Sequence, residues 1–164
     1  MTDEAAALIA ALDLRPHLEG GYFRETWGAA ATVAAAGGPR PLANSIYYLL
    51  TRDSPIGAFH RNAADITHFF HRGGPIVYSL ISPAGVWQEL VLGPDLAAGQ
   101  RLAFTCPGGW WKSSRLPGSA ALGLISEIVA PGFAYADHTL ADPALFGRLF
   151  PELADRWAPY VGGG

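Results

Sequence analysis

The middle of the chain alternates short apolar runs with turn-forming residues. Between Gly21 and Tyr135, runs rich in β-branched and aromatic residues are separated by Gly and Pro, a pattern that predicts strands joined by turns. The predicted strands are Gly21–Trp27, Asn44–Thr51, Gly57–His60, Ile66–His71, Ile76–Ser82, Val86–Leu92, Arg101–Thr105, Gly109–Arg115 and Ala120–Ala130. Many short strands favour a sandwich or barrel. We therefore predict a mainly β fold, a small closed barrel.

Helical patterns are confined to the two ends of the chain. Thr2 can cap an N-terminal helix, with Leu8, Ile9 and Leu12 as its buried stripe. Near the C-terminus Asp142 can cap a second helix that begins at Pro143. A further turn is predicted between Pro151 and Trp157, and the Ala- and Gly-rich stretch Gly28–Gly38 is predicted to be a mobile loop.

Composition narrows the class of protein. Half of the 164 residues are hydrophobic and 15% are charged, which supports one folded domain over residues 1–164. The formal charge of −3 provides no basic field for nucleic acid. No apolar run reaches the roughly 20 residues that span a bilayer, the N-terminus is acidic, and Cys106 is the single cysteine. We predict a cytoplasmic protein that binds neither nucleic acid nor membranes.

Several motifs resemble an uncharacterised family of the cupin superfamily. They are LEGGYFRETW (18–27), SIYYLLT (45–51), FHRN (59–62), ITHFFHRG (66–73), VLGPDLAAGQ (91–100), CPGGWWK (106–112) and APGF (130–133). The resemblance implies a cupin double-stranded β-helix, or jelly-roll barrel, with short N- and C-terminal helices. It also implies a homodimer and a distant likeness to dTDP-sugar epimerases.

The resemblance also shows where the metal ligands of other cupins are missing. His60 matches a first-motif histidine, but Ile66 follows Asp65 where a glutamate is expected. In the later motif, Lys112 stands where a histidine is expected, and a protonated lysine cannot bind a metal. A divalent site needs about three or four ligands. His60 and His68 supply two, and His71, Glu127 and Asp137 are the further candidates. We predict no metal and no other cofactor.

Alternation along strands gives candidates for a ligand site. Arg24 is expected to point into the barrel and to pair with a carboxylate such as Glu127 or with an anionic ligand. One of Trp110 and Trp111 is expected to face the cavity, while His17 and His138 carry no motif and are expected to be structural. The predicted ligand-binding residues are Tyr22, Arg24, Ser45, Tyr47, His68, Trp111, Lys112 and Glu127.

Two functions follow from these candidates. In the first, the barrel binds a small polar ligand, sugar-like or anionic, without a metal. In the alternative, the protein is a metal-independent isomerase or epimerase acting on a sugar-type substrate, with His60 as general base. Tyr47 or Tyr48 would be the opposing acid, and Tyr48 is the predicted catalytic residue of the two. The sequence shows no carboxylate that would orient His60, so binding is placed ahead of catalysis.

Overall fold

The computed structural model describes residues 1–35 and 37–161. Ala36, in the predicted loop, and the last three glycines lie outside the described residues. The thirteen strands are β1 (Arg15–Pro16), β2 (Tyr22–Gly28), β3 (Thr32–Val33), β4 (Arg40–Pro41), β5 (Asn44–Thr51), β6 (Ile56–Asn62), β7 (Asp65–Gly73), β8 (Ile76–Ile81), β9 (Trp87–Leu92), β10 (Ala103–Cys106), β11 (Trp111–Arg115), β12 (Leu122–Ala130) and β13 (His138–Leu140). All nine predicted strands are confirmed, while β1, β3, β4 and β13 were not predicted.

The strands form two main antiparallel sheets. The six-stranded sheet has the order β1-β2-β5-β12-β7-β10, and the five-stranded sheet has the order β13-β6-β11-β8-β9. A separate pair, β3 and β4, lies within the predicted mobile loop and the residues that follow it. In the described part of the chain the two main sheets are separate hydrogen-bonded units. The fold is therefore a two-sheet jelly roll rather than the closed barrel we expected.

Helices begin where the sequence predicts. The first helix, α1 (Asp3–Ala11), is capped by Thr2, whose side chain accepts a hydrogen bond of 3.3 Å from Ala5 N. The second, α2 (Pro143–Leu149), is capped by Asp142, which accepts from Leu145 N at 2.7 Å. A 3₁₀ turn, the short helix α3 (Ala154–Trp157) and another 3₁₀ turn follow. In the described residues, no helix is long and apolar enough to cross a membrane.

Apolar residues pack in three layers. Helix α1 covers part of the outer face of the six-stranded sheet, where Ala5 packs with Leu49 and Leu124. The C-terminal helices cover the five-stranded sheet, where Phe146 is fully buried against Phe59 and Trp111. Between the sheets, an aromatic and aliphatic core is formed by Tyr48, Leu50, Ile76, Tyr78, Leu80, Leu92, Phe104, Cys106, Leu116 and Ile125. Each fully buried large apolar side chain contributes about 1.5–3 kcal/mol.

Candidate functional site

A cavity of about 180 Å³ lies between the sheets, beside this core. Its walls come from β1, β2, β5, β6, β7, β12 and β13, from the loop before β2, and from the segment that leads into β13. The lining residues are Arg15, His17, Glu19, Phe23, Glu25, Asn44, Ile46, Tyr48, His60, Asn62, Ile66, Glu127, Val129, Phe133, Tyr135 and His138. Three histidines and three glutamates therefore share one small space with four aromatic rings.

The Glu19 carboxylate is surrounded by three histidines. Its Oε1 lies 2.6 Å from His138 Nε2, and its Oε2 lies 3.2 Å from His60 Nδ1 and 3.6 Å from His17 Nδ1. The His60 and His138 rings stack with their centroids 5.5 Å apart. We call these four residues the Glu19 cluster. The carboxylate that the sequence did not supply for His60 is present: Glu19 lies on the loop between β1 and β2, three positions before β2 begins.

Glycine places Glu19 beside β6. Gly20 has a φ of +99°, and a Cβ there would lie 2.1 Å from the Ile56 carbonyl oxygen. A side chain is therefore excluded by both backbone strain and the close approach of β6. A backbone hydrogen bond also joins this loop to β6: Ala58 N donates to the Glu19 carbonyl oxygen at 2.7 Å. The Glu-Gly-Gly sequence thus fixes a carboxylate next to His60 on the facing strand.

Hydrogen bonds fix the protonated nitrogen of each histidine. His60 Nδ1 lies 2.9 Å from the Ala58 carbonyl oxygen, so Nδ1 carries the proton and Nε2 is an acceptor. His138 donates from Nε2 to Glu19, which leaves its Nδ1 as an acceptor. His17 Nδ1 accepts from Glu19 N at 3.3 Å, which leaves its Nε2 as a donor. The cluster presents donors and acceptors in fixed positions.

Burial controls the charge of the cluster. Burial lowers the pKa of His60 to about 4, although Glu19 opposes the shift, and burial also lowers the pKa of His17. Burial alone would raise the pKa of Glu19, but His60 and the hydrogen bond from His138 more than offset it, and the net shift is downward. At neutral pH, Glu19 is therefore ionised and the His60 and His17 rings are neutral.

The only lysine of the chain is buried next to the cavity. Lys112 Nζ lies 2.7 Å from His68 Nε2 and 3.4 Å from Glu127 Oε2, while His68 Nε2 lies 3.3 Å from Glu127 Oε1. Burial opposes ionisation of Glu127, but Lys112 and His68 hold its pKa well below the usual range. Burial, followed by the Lys112 charge, lowers the pKa of His68. The ammonium and carboxylate form a buried ion pair beneath the cavity.

Three of the predicted site residues line the cavity: His60, Tyr48 and Glu127. The Tyr48 hydroxyl donates to the Gly20 carbonyl oxygen at 2.9 Å, and burial, followed by the Glu19 charge, raises its pKa well above the usual value. His68 and Lys112 lie behind this wall and reach it through Glu127. Glu127 is paired with Lys112, and not with Arg24 as expected.

Four predicted residues lie on the outer face of the six-stranded sheet, away from the cavity. Phe23 and Glu25 line the cavity, so Tyr22 and Arg24 point the opposite way. On β5, Tyr48 and Ile46 point inward, which turns Tyr47 and Ser45 outward. The expectation that Arg24 points into the barrel was wrong, because alternation predicts which residues share a face but not which face is covered. Tyr22 and Tyr47 pack near α1, and Ser45 bonds with Thr26.

Trp111 also lies outside the cavity. It packs against Phe146 beneath the C-terminal helices, and the Arg61 guanidinium lies 5.0 Å from its ring centre. Trp110 instead packs against the core between the sheets. Trp111 therefore does not reach this cavity, because its face of β11 is covered by the C-terminal helices.

The cavity residues that were not predicted as site residues include Glu19, His17, His138 and Asn62. His17 and His138 were expected to be structural, yet both contact Glu19. Glu19 lies inside the LEGG motif, and the paired glycines after it signal a close backbone approach. His138 lies 119 positions from Glu19 along the chain, and no local pattern joins them.

The residues at the expected metal position do not fit a metal ion. Lys112 places a positive charge between His68 and Glu127, and a protonated amine has no lone pair for a metal. Ile66, which stands where a glutamate ligand is expected, lines the cavity with an apolar side chain. Among residues 1–35 and 37–161, no group of three or more His, Cys, Asp or Glu side chains has the arrangement of a metal site.

Two facing antiparallel sheets around a polar cavity define the cupin fold. A dTDP sugar isomerase from Desulfovibrio desulfuricans shares it, with a TM-score of 0.53, 15% identity, and coverage of 87% of this chain and 89% of that one.

Residues 6–141 match the family model described as Cupin superfamily (DUF985), and the chain belongs to that family. A hypothetical protein from Leishmania major is 30% identical, with a TM-score of 0.90 and coverage of 98% of this chain and 99% of that one. An uncharacterized protein from Saccharomyces cerevisiae is 39% identical over 146 residues, or 80% of this chain and 72% of that protein.

Proposed function

We propose that the chain binds a small, neutral, hydroxyl-rich molecule, such as a sugar or polyol, in the cavity and without a metal ion. The Glu19 cluster carries this proposal. The Glu19 carboxylate faces the N–H groups of His60 and His138, while its backbone N–H donates to His17 Nδ1. The three rings leave acceptors at His60 Nε2 and His138 Nδ1 and a donor at His17 Nε2. Hydroxyl groups both donate and accept, so a polyol matches such a mixed set.

Charge favours a neutral ligand over an anion. Glu19, Glu25 and Glu127 line the cavity, and Arg15 is the cation among the lining residues. The Lys112 charge is already paired with Glu127. Arg24, which was expected to hold an anionic group, points away from the cavity. An anion would therefore meet uncompensated negative charge in a partly buried space.

Aromatic rings support the sugar-like class. Phe23, Phe133 and Tyr135 line the cavity, and Phe133 contacts both Tyr135 and His138. The apolar faces of a sugar ring pack well on aromatic side chains. The combination of such rings with directional polar groups is typical of a small-molecule site.

The test is a binding series with a matched pair of variants. Neutral probes (D-xylose, D-mannose, erythritol) and the anion erythronate are titrated while histidine ¹H–¹⁵N spectra are recorded. We expect a neutral probe to shift the His60 and His138 nitrogens and erythronate to have a weaker effect. Glu19→Gln should weaken binding, because a neutral amide oxygen holds the His60 and His138 N–H groups less firmly than a carboxylate does. Glu89→Gln, on β9 outside the cavity, is the control. No response to any neutral probe would overturn the proposal.

A second candidate function is isomerisation or epimerisation by acid–base chemistry. The 3.2 Å contact between Glu19 and His60 favours it, because a carboxylate that orients a histidine is a common feature of general bases. The fold shared with a dTDP sugar isomerase does not by itself transfer that activity. In D₂O, a working base would exchange a carbon-bound proton of an α-hydroxy ketone for deuterium, and His60→Gln would abolish the exchange. Equal exchange in both proteins would exclude His60 as the base.

A further inference from the structure

One buried donor at the cavity has no hydrogen-bond partner. Asn62 is 5% exposed and lines the cavity. Four buried side-chain nitrogens or oxygens in the described residues lack a partner, on Arg24, Asn62, His68 and Tyr78. Of these, Asn62 belongs to the cavity wall. An unpaired buried amide is costly, so a protein that retains one has a use for it.

The orientation of the Asn62 amide is set by the backbone. Its Oδ1 accepts a hydrogen bond of 3.2 Å from Ala64 N. Turning the amide over would place the NH₂ group against this N–H, which cannot accept a hydrogen bond. The NH₂ group is therefore fixed as a donor, and only an acceptor can pair with it.

Asn62 and His60 form a donor–acceptor pair on one strand. They lie two positions apart on β6, so their side chains share a face and their Cα atoms are about 7 Å apart. His60 Nε2 is the acceptor of the pair, since Nδ1 donates to Ala58. A ligand that carries a carbonyl oxygen beside a hydroxyl group presents the complementary set.

We propose that Asn62 recognises a carbonyl oxygen of the ligand while His60 Nε2 accepts from the neighbouring hydroxyl group, so that the preferred ligand is a neutral α-hydroxycarbonyl compound. This rests on the proposed function and makes it more specific. A carbonyl oxygen accepts and does not donate, which suits a group that can only donate. The negative charges of the cavity carboxylates disfavour binding of the corresponding hydroxy acid, which is an anion at neutral pH.

The experiment compares L-erythrulose with erythritol. The two differ in one position, a ketone against a hydroxyl group, and erythrulose has too short a chain to close a stable ring. We expect erythrulose to bind about tenfold more tightly. It should also shift the side-chain NH₂ signals of Asn62 in the ¹H–¹⁵N spectrum. The exposed amide of Gln88 serves as the reference for non-specific effects.

Asn62→Asp is the matched variant. It keeps an oxygen for Ala64 N and removes the amide donor, so the preference for erythrulose over erythritol should disappear. Gln88→Glu makes the same chemical change outside the cavity and should retain the preference. If Asn62→Asp fails to fold, the shift of the Asn62 NH₂ signals in the unmodified protein on adding erythrulose still tests the proposal.

The outcomes separate the two proposals. Equal affinity for both probes, with unshifted Asn62 NH₂ signals, would overturn the role of Asn62 and leave polyol binding intact. Absence of binding by either probe and by the other neutral sugars would overturn the proposed function and this inference with it.

Discussion

His60 lies in the electric field of both Glu19 and Lys112, yet burial has the larger effect on its pKa. A neutral imidazole in the folded protein is therefore a consequence of its position between the sheets. The same burial makes the Lys112–Glu127 pair costly to break, because neither charge can return to water while the fold persists. His60 and the Lys112–Glu127 pair therefore affect both the candidate site and the stability of the fold.

Acid should destabilise the protein through His60. Its pKa falls from 6.5 to about 4 on folding, so the folded state binds fewer protons than the unfolded state between these values. Its contribution of about 3 kcal/mol is complete above pH 6.5 and is lost as the pH falls towards 4. The free energy of unfolding, measured with urea across this pH range, should depend less steeply on pH in His60→Asn than in the unmodified protein. The exposed His71→Asn control should match the unmodified protein, and equal slopes in all three would contradict the assignment.

Removing the buried ammonium should be strongly destabilising. Lys112→Met leaves Glu127 without its main counter-charge, at an expected cost of about 3–5 kcal/mol in the free energy of unfolding. The double variant with Glu127→Gln should recover part of this loss, since no unpaired charge remains. Urea denaturation measures both. Additive effects of the two changes would show that the pair is not coupled.

Strands and helices that are marked by a local sequence pattern were predicted well. Contacts between elements that are distant in the sequence were not predicted. The limits of Asn44–Thr51 agree in sequence and structure because alternation and flanking turn residues mark both ends of β5. β13 was missed because its three residues pair with β6 without a hydrophobic pattern of their own. The site depends on these distant pairings, so His60 could be chosen from sequence and its partners Glu19 and His138 could not.

The cap of α2 gives a prediction at this scale. Asp142 accepts from Leu145 N, and α2 covers Trp111 and Phe59. Asp142→Ala should lower the free energy of unfolding by about 1 kcal/mol. Asp155→Ala, an exposed acid in α3, should have a smaller effect in the same chemical denaturation series. A smaller effect at Asp142 than at Asp155 would contradict the capping role.

At the scale of the whole molecule, the outer face of the six-stranded sheet is only partly covered. Beyond the part under α1, Phe69 and Ile128 are 36% and 40% exposed. The nearest residues to this pair on the same face, Thr67, Ser126 and Thr105, are uncharged. An exposed apolar patch bordered by uncharged residues is suited to self-association. We propose that two copies of the chain pair through this face as a homodimer.

Charge on this face should separate the copies. Phe69→Glu combined with Ile128→Glu places two like charges on each partner, so light scattering after size exclusion should show a monomer. Leu96→Glu, an exposed apolar position in the loop after β9, should leave the dimer unchanged. A monomeric unmodified protein at all concentrations would refute the homodimer.

The position of the chain's single lysine has a practical consequence. Lys112 carries the only side-chain amine in the sequence, so amine-directed reagents have one side-chain target, and the folded jelly roll shields it. Acylation of Lys112 requires the sheets to part, and its rate reports how often they do. Mass spectrometry of one peptide would therefore follow transient opening of the site without any engineered label, and a bound ligand should slow the reaction.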